Sequence, residues 1–190
     1  ETFREAMAVA TKTGSKREMV LERLFLGQTL LLMKRPAEAA KEFTAALGES
    51  QALKLVDERW TALYGLGQVN AASGDAGAAL GRYREAISVV ESERNRLGRG
   101  SLKHEFLADK RDVYDALIGL LVDQPDPPVA EILRRLEEGR ARNLKERFPA
   151  EGQAVDLEAI QRNLGDRDML IEYWIAGGRL AAVWITRGSA

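Results

Sequence analysis

No cysteine occurs among the 190 residues, and histidine occurs once, at His104. The first absence excludes a disulfide framework, a thiolate metal site and a thiol nucleophile. The second leaves no partner for a zinc-binding histidine: His104-Glu105 is not followed by a second histidine at the metalloprotease spacing. We therefore expect no catalytic residue, no metal and no cofactor, and read His104 as a surface residue. Charge of one sign is also missing. A formal net charge of -1 creates no general field for polyphosphate, so nucleic acid would need a local basic stripe. The densest candidate, Arg134, Arg135, Arg140, Arg142, Lys145 and Arg147, is interleaved with Glu131, Glu137, Glu138 and Glu146, the pattern of a solvated helix face. No apolar run approaches the roughly 20 residues of a membrane span. The opening Glu1-Thr2-Phe3-Arg4-Glu5 also lacks the layout of a signal peptide. The expectation is a cytoplasmic chain that binds neither membrane nor nucleic acid and is not by itself an enzyme.

What the chain does have is a composition that folds, 45% hydrophobic and 30% charged. Phe3, Ala6, Met7 and Ala10 already keep helical spacing with no initiator methionine before them, which predicts a segment of a longer protein. The chain is also self-similar. A slide of 40 positions aligns Phe3, Phe43 and Tyr83, then Ala6, Ala46 and Ala86, then Leu26-Gly27-Gln28 with Leu66-Gly67-Gln68, and Ala39 with Ala79.

Each period reads as a helix carrying Leu-Gly, a break, and a helix carrying Ala, an aromatic four places on, and Ala three further on. This resembles the tetratricopeptide repeat (TPR). The small residues sit where two helices approach closely and the aromatic fills the space beside them. Gly65-Leu66-Gly67 belongs to that packing and not to a nucleotide loop, since no strand precedes it and a third glycine is missing. The resemblance implies a mainly α fold: a TPR-like, right-handed solenoid of antiparallel helix pairs with a short C-terminal β-hairpin. A period of 40 against the usual repeat of about 34 predicts lengthened pairs and a deeper groove. Helices are expected near 1–12, 17–33, 36–48, 51–73, 76–97, 101–122, 127–147 and 156–164. Asn70, Gly74 and Asp75 would form one break, Pro36 would start the third helix, and Asp126-Pro127 would open the seventh. The pair after residue 100 lacks the Leu-Gly and Ala pattern and is read as a cap.

After Phe148-Pro149 the composition changes. Met169 to Ile175 and Leu180 to Thr186 are apolar segments flanking Ala176-Gly177-Gly178, which predicts a hairpin. A lone hairpin is marginal in water, so this one expects more sheet, and its apolar strands predict a dimer or aggregate formed through it. The domain expectation is residues 1–148 for repeats and capping helices and 149–190 for the start of an α/β domain.

The run Phe106-Leu-Ala-Asp-Lys-Arg-Asp-Val-Tyr114, then Leu136-Glu-Glu-Gly-Arg-Ala-Arg-Asn-Leu144, then Leu170-Ile-Glu-Tyr-Trp-Ile and Arg179-Leu-Ala-Ala-Val-Trp-Ile-Thr-Arg187 is similar to the approach to a CHAT domain. That family joins TPRs to a caspase- and separase-like peptidase. The resemblance implies a regulatory, substrate-recruiting region of a cysteine protease whose peptidase half would be its partner in cis. No residue of this chain matches the family's His and Cys dyad. Glu137-Glu138 and Asp166 with Asp168 could be offered as acid and base pairs, but nothing in the sequence gathers them in a pocket.

The remaining functional candidate is the groove. In TPR proteins the first helix of each pair lines a concave surface that receives a protein or peptide segment. The repeat register puts Leu24, Gln28 and Leu31 there in one unit and Tyr64, Gln68 and Ala71 in the next. A glutamine amide both donates and accepts, so the recurring Gln28 and Gln68 could hold an extended backbone without reading its side chains. Ordinary polar surface would account for the same two residues. Leu24 and Tyr64 stand where carboxylate-clamping TPRs carry Lys and Asn, which disfavours terminal carboxylates as ligands. The competing expectations are a free-standing TPR adaptor and an RNA-binding repeat, the latter disfavoured by the uncharged groove positions.

Overall fold

The protein is described by a computed structural model over residues 15–96, 110–139 and 157–189. Its described elements are α1 (Lys16–Leu32), α2 (Pro36–Leu53), α3 (Val56–Ala72), α4 (Ala76–Arg96), α5 (Arg111–Val122), α6 (Val129–Gly139), α7 (Leu157–Asn163), β1 (Leu170–Ala176) and β2 (Arg179–Ile185). The expected first helix with Phe3, Ala6, Met7 and Ala10, the residues around His104, and the stretch with Arg140, Arg142, Lys145 and Arg147 lie outside the described residues. Two compact units emerge, Glu1–Gly98 and Arg99–Ala190. The sequence placed its division after residue 148; here α5 and α6 fall with the hairpin.

The first unit consists of TPR-like helix pairs. α1 packs on α2, α2 on α3, α3 on α4, and the leading helices α1 and α3 also touch. The repeat register explains the contacts. Phe43, 1% exposed, lies against Gly27 of its own pair and Gly65 of the next; a Cβ on Gly27 would come within 2.8 Å of the Phe43 ring, and one on Gly65 closer still. Tyr83 meets Gly67 in the same way. Ala39, Ala46, Ala79 and Ala86 are all fully buried around these rings. A larger side chain at the glycines would force the helices apart, and each buried aromatic contributes about 1.5–3 kcal/mol through area removed from water.

The turns share one device. Arg35 N–H bonds Leu30 O, Leu55 N–H bonds Ser50 O and Asp75 N–H bonds Asn70 O, each at 2.9 Å, beside a shorter-range bond from Lys34, Lys54 or Gly74. That is the Schellman closure, and it puts Lys34 (φ 58°), Lys54 (φ 58°) and Gly74 (φ 80°) in the left-handed region. Lys34 and Gly74 are 40 positions apart, so the turn repeats along with the helices. Pro36 opens α2 as expected, and Asp75 caps α4 by accepting Ala78 N–H at 2.9 Å. One boundary is corrected. The sequence reading ended a helix at Gly48 and began the next at 51, whereas α2 runs through to Leu53. Gly48 is tolerated on an exposed helical face, and the reversal comes from Lys54.

In the second unit α5 packs on α6 through Tyr114, Leu117, Ile118 and Leu121 of α5 and Ile132, Leu133 and Leu136 of α6, all buried. α6 starts two residues later than the expected opening at Pro127: the first helical bond runs from Ile132 N–H to Pro128 O at 3.0 Å. β1 and β2 pair antiparallel, Leu170 with Ile185 through Ala176 with Arg179. Only two residues are left for the turn, Gly177 (φ 56°) and Gly178 (φ 74°), as a primed turn requires. One hairpin face rests on α5. Trp174 is 5% exposed and lies over Gly119, and its indole Nε1–H bonds Asp115 Oδ1 at 2.9 Å. Arg179 stacks 5.6 Å above the same indole and donates to Asp123 at 3.1 Å.

Candidate functional site

The leading helices α1 and α3 carry the six groove residues at helical steps of four and three, so that each trio shares one face of its helix. They meet different fates. Leu24, 6% exposed, belongs to the core with Val20, Phe43, Ala46, Ala62 and Leu66 and presents nothing to a ligand. This corrects the expectation for that position: a leucine is short enough to be drawn wholly into the α1–α2–α3 core. Leu31 packs against the same cluster and is half-buried. Gln28 is exposed, while Tyr64, Gln68 and Ala71 are half-buried.

Tyr64 is held from two sides. Its ring centroid lies 6.4 Å from Trp60 and 5.8 Å from Tyr83, both tilted, and Trp60 Nε1–H reaches Asp57 at 3.3 Å. Burial pushes the Tyr83 phenol well above its ordinary range, with neighbouring Tyr64 adding to the shift. The Tyr83 hydroxyl is thus neutral at physiological pH. One turn after Tyr64, the amide oxygen of Gln68 is shielded from solvent and accepts no hydrogen bond. A buried acceptor without a donor costs about 1–3 kcal/mol.

Trp60 went unremarked in the sequence reading. Its four-residue spacing from Tyr64 was the available signal. A second missed feature is Glu58, 4% exposed, which accepts from Arg17 Nε at 2.6 Å and ties the start of α3 to the start of α1.

Three members of the offered acid pairs are engaged elsewhere. Glu138 binds Arg135 at 2.7 Å, which Glu131 also meets at 3.6 Å; Asp166 binds Arg187 at 2.7 Å, and Asp168 accepts Gly165 N–H at 2.9 Å. Among the described residues no group of His, Asp and Glu could hold a metal ion, and no helix is long and apolar enough to cross a membrane. In the second unit a cleft of about 320 Å³ runs along β2 between Ala181–Trp184 and Val122, Pro127, Val129 and Ile132, with Asp126 its single charged lining group. One carboxylate amid apolar walls gives no acid–base pair.

No family model matches the sequence, and none of the curated proteins does. Among solved structures, the TPR domain of Arabidopsis FLU is similar at 19% identity and a TM-score of 0.49, over 72% of this chain and 99% of that one.

Proposed function

We propose that the chain is a protein–protein interaction scaffold whose repeats hold an extended protein or peptide segment against α1 and α3. The observation that carries this reading is the row of uncharged side chains on the leading helices, Gln28 and Leu31 on α1 and Tyr64, Gln68 and Ala71 on α3, with the Tyr64 ring fixed between Trp60 and Tyr83. The exposed amide of Gln28 can meet the backbone of an extended segment, and the faces of Tyr64 and Ala71 offer apolar contact beside it. With Leu24 withdrawn into the core, the surface reduces to Gln28, Leu31, Tyr64, Gln68 and Ala71.

The finer reading follows from the CHAT resemblance. The repeats would be the regulatory, substrate-recruiting region of a CHAT-family cysteine protease, with the peptidase half as a partner in cis and a second copy engaged through the hairpin. The absence of cysteine means that the nucleophile of such a protease is supplied by sequence other than these residues. What supports this reading is the order of elements and the open cleft along β2, which suits a sheet that continues. The alternative is a free-standing adaptor using the same groove. The two part on coding sequence: the protease reading expects further strands with a His and a Cys following residue 190, the adaptor reading does not.

The groove is tested by capture from native lysate with wild-type chain and a Gln28→Ala, Tyr64→Ala, Gln68→Ala variant of unchanged helical circular dichroism. The expected result is a protein retained by the wild type and lost by the variant, reproduced with that protein purified. Equal retention would remove the groove from the proposal.

A further inference from the structure

We infer that the outer face of the hairpin is covered by a second copy of this chain, hairpin packed on hairpin face to face. The inference rests on the reading above of the hairpin as an association element and assigns that role to one face. Alternation along the strands sorts the side chains: Trp174 and Ile185 point inward and are buried, while Ile171, Tyr173, Ile175, Leu180, Ala182 and Trp184 point outward and are exposed. The solvent face of an antiparallel sheet ordinarily carries polar residues. Here the six outward positions carry no charge, and their polar side-chain groups are confined to the Tyr173 hydroxyl and the Trp184 indole N–H.

The exposed area is large enough to matter. Ile171 is 39% exposed, Tyr173 51%, Ile175 65%, Leu180 67% and Trp184 59%. With aromatic side chains at about 150–250 Å² each, these fractions leave on the order of 600 Å² of apolar surface. A standard-size interface takes about 800 Å² per partner, and the largest patch of an ordinary monomer is about 300–600 Å². One hairpin face therefore supplies most of what a stable dimer needs.

The face is also complementary to itself. The register sets Ile171 opposite Trp184, Tyr173 opposite Ala182 and Ile175 opposite Leu180. A two-fold axis parallel to the strands lays β1 of one copy over β2 of the other, and the Tyr173 ring then enters the hollow above the partner's Ala182. No charged side chain on the face is desolvated, and two small twisted sheets pack well at about 30°. Pairing through the free edge of β2 would use backbone groups instead, which makes the two modes separable by side-chain substitution.

The test is sedimentation velocity on the full chain from about 1 to 200 μM, alongside a Leu180→Lys, Trp184→Lys variant and a milder Leu180→Gln variant. Leu180 is 67% exposed and lies outside the cleft that Trp184, 59% exposed, borders, so helical circular dichroism should be unchanged. The expected result is a monomer–dimer equilibrium for the wild type and a dissociation constant raised at least ~30-fold by the lysines, the scale of losing an interface hot spot. Leu180→Gln should fall between the two. A blue shift of Trp184 emission should accompany the wild-type dimer. A wild type that stays monomeric over the whole range overturns the inference. So does a dimer that persists unchanged in the lysine variant, which would move association to the β2 edge or the repeats. Groove capture by the lysine variant reports separately on the repeats, so either reading can fail without the other.

Discussion

The aromatic plugs of the repeats and the strand aromatics of the hairpin are disposed of differently. In the repeats Phe43 and Tyr83 are 1% and 3% exposed, each lodged against a glycine of a facing helix. In the hairpin Trp174 is buried, but Tyr173 and Trp184, on the other face of the same two strands, are more than half exposed. A helix pair buries its apolar stripe against the next pair, so stacking uses up the apolar surface that the sequence provides. A two-stranded sheet has two faces and α5 occupies one. The repeats thus close most of their packing within themselves, leaving Phe25, Leu32 and Met33 exposed, while the hairpin leaves half of its apolar surface for something else to cover.

The sharpest way to break that contrast is to truncate one aromatic from each unit. Phe43→Ala should cost about 3–5 kcal/mol, since the ring fills the space between Gly27 and Gly65 and leaves a cavity when removed. Trp184→Ala removes more atoms yet should alter monomer stability by less than about 0.5 kcal/mol, as at other exposed positions. Urea unfolding at concentrations below any self-association measures both. Comparable losses would mean that the outer face is already packed within the monomer.

Glycine sharpens the comparison within the repeats because two physical effects oppose each other. Alanine is about 1 kcal/mol better than glycine in a helix interior, whereas forcing an extra methyl into a packed core costs about 1–3 kcal/mol. At Gly48 and Gly81 a Cβ would meet nothing within 4 Å, so Gly48→Ala and Gly81→Ala should each stabilise by about 0.5–1 kcal/mol. At Gly65 and Gly67 it would enter the rings of Phe43 and Tyr83, so the same substitution should destabilise. The sign of the shift in thermal midpoint, helix by helix, distinguishes glycines that receive a ring from glycines that merely occur.

Much of this architecture was legible because one offset of 40 explained several residue types at once, and each of those matches has a steric reason: ring on glycine, alanine beside ring. The hairpin was legible for a similar cause, since two consecutive glycines supply the positive φ that a two-residue turn demands. What escaped the sequence lay where a residue took a conformation its type disfavours. Lys54 in the left-handed region ends α2, and no lysine advertises that; Gly48, which does advertise a stop, sits mid-helix. The six residues expected to line a groove were placed by register and not by fate. Register alone placed Leu24 and Tyr64 at equivalent sites, and side-chain size then sent the first into the core and left the second half-exposed. The orphaned Gln68 oxygen had no sequence signal at all, because being without a donor is a property of neighbours and not of glutamine.

The smallest effect expected at neutral pH comes from exchanging one plug for the other. Tyr83→Phe installs at the second repeat the residue that serves the first, and the ring that fills the space beside Gly67 is kept, so stability at pH 7 should change by under about 1 kcal/mol. The pH dependence is where the two plugs part. Burial raises the Tyr83 phenol in the folded state, while in the unfolded chain it titrates near about 10. Below that value both states hold the proton and the hydroxyl adds no slope. Above it the unfolded state releases a proton that the folded state keeps, so unfolding is favoured increasingly as pH rises, by up to about 1.4 kcal/mol per pH unit. Tyr83→Phe should remove that portion of the alkaline loss, and wild type and variant, close at pH 7, should diverge between about pH 10 and 11 with the variant the more stable. Parallel denaturation curves at both pH values would mean that the phenol reaches solvent in the folded protein, and the plug of the second repeat would then be looser than that of the first.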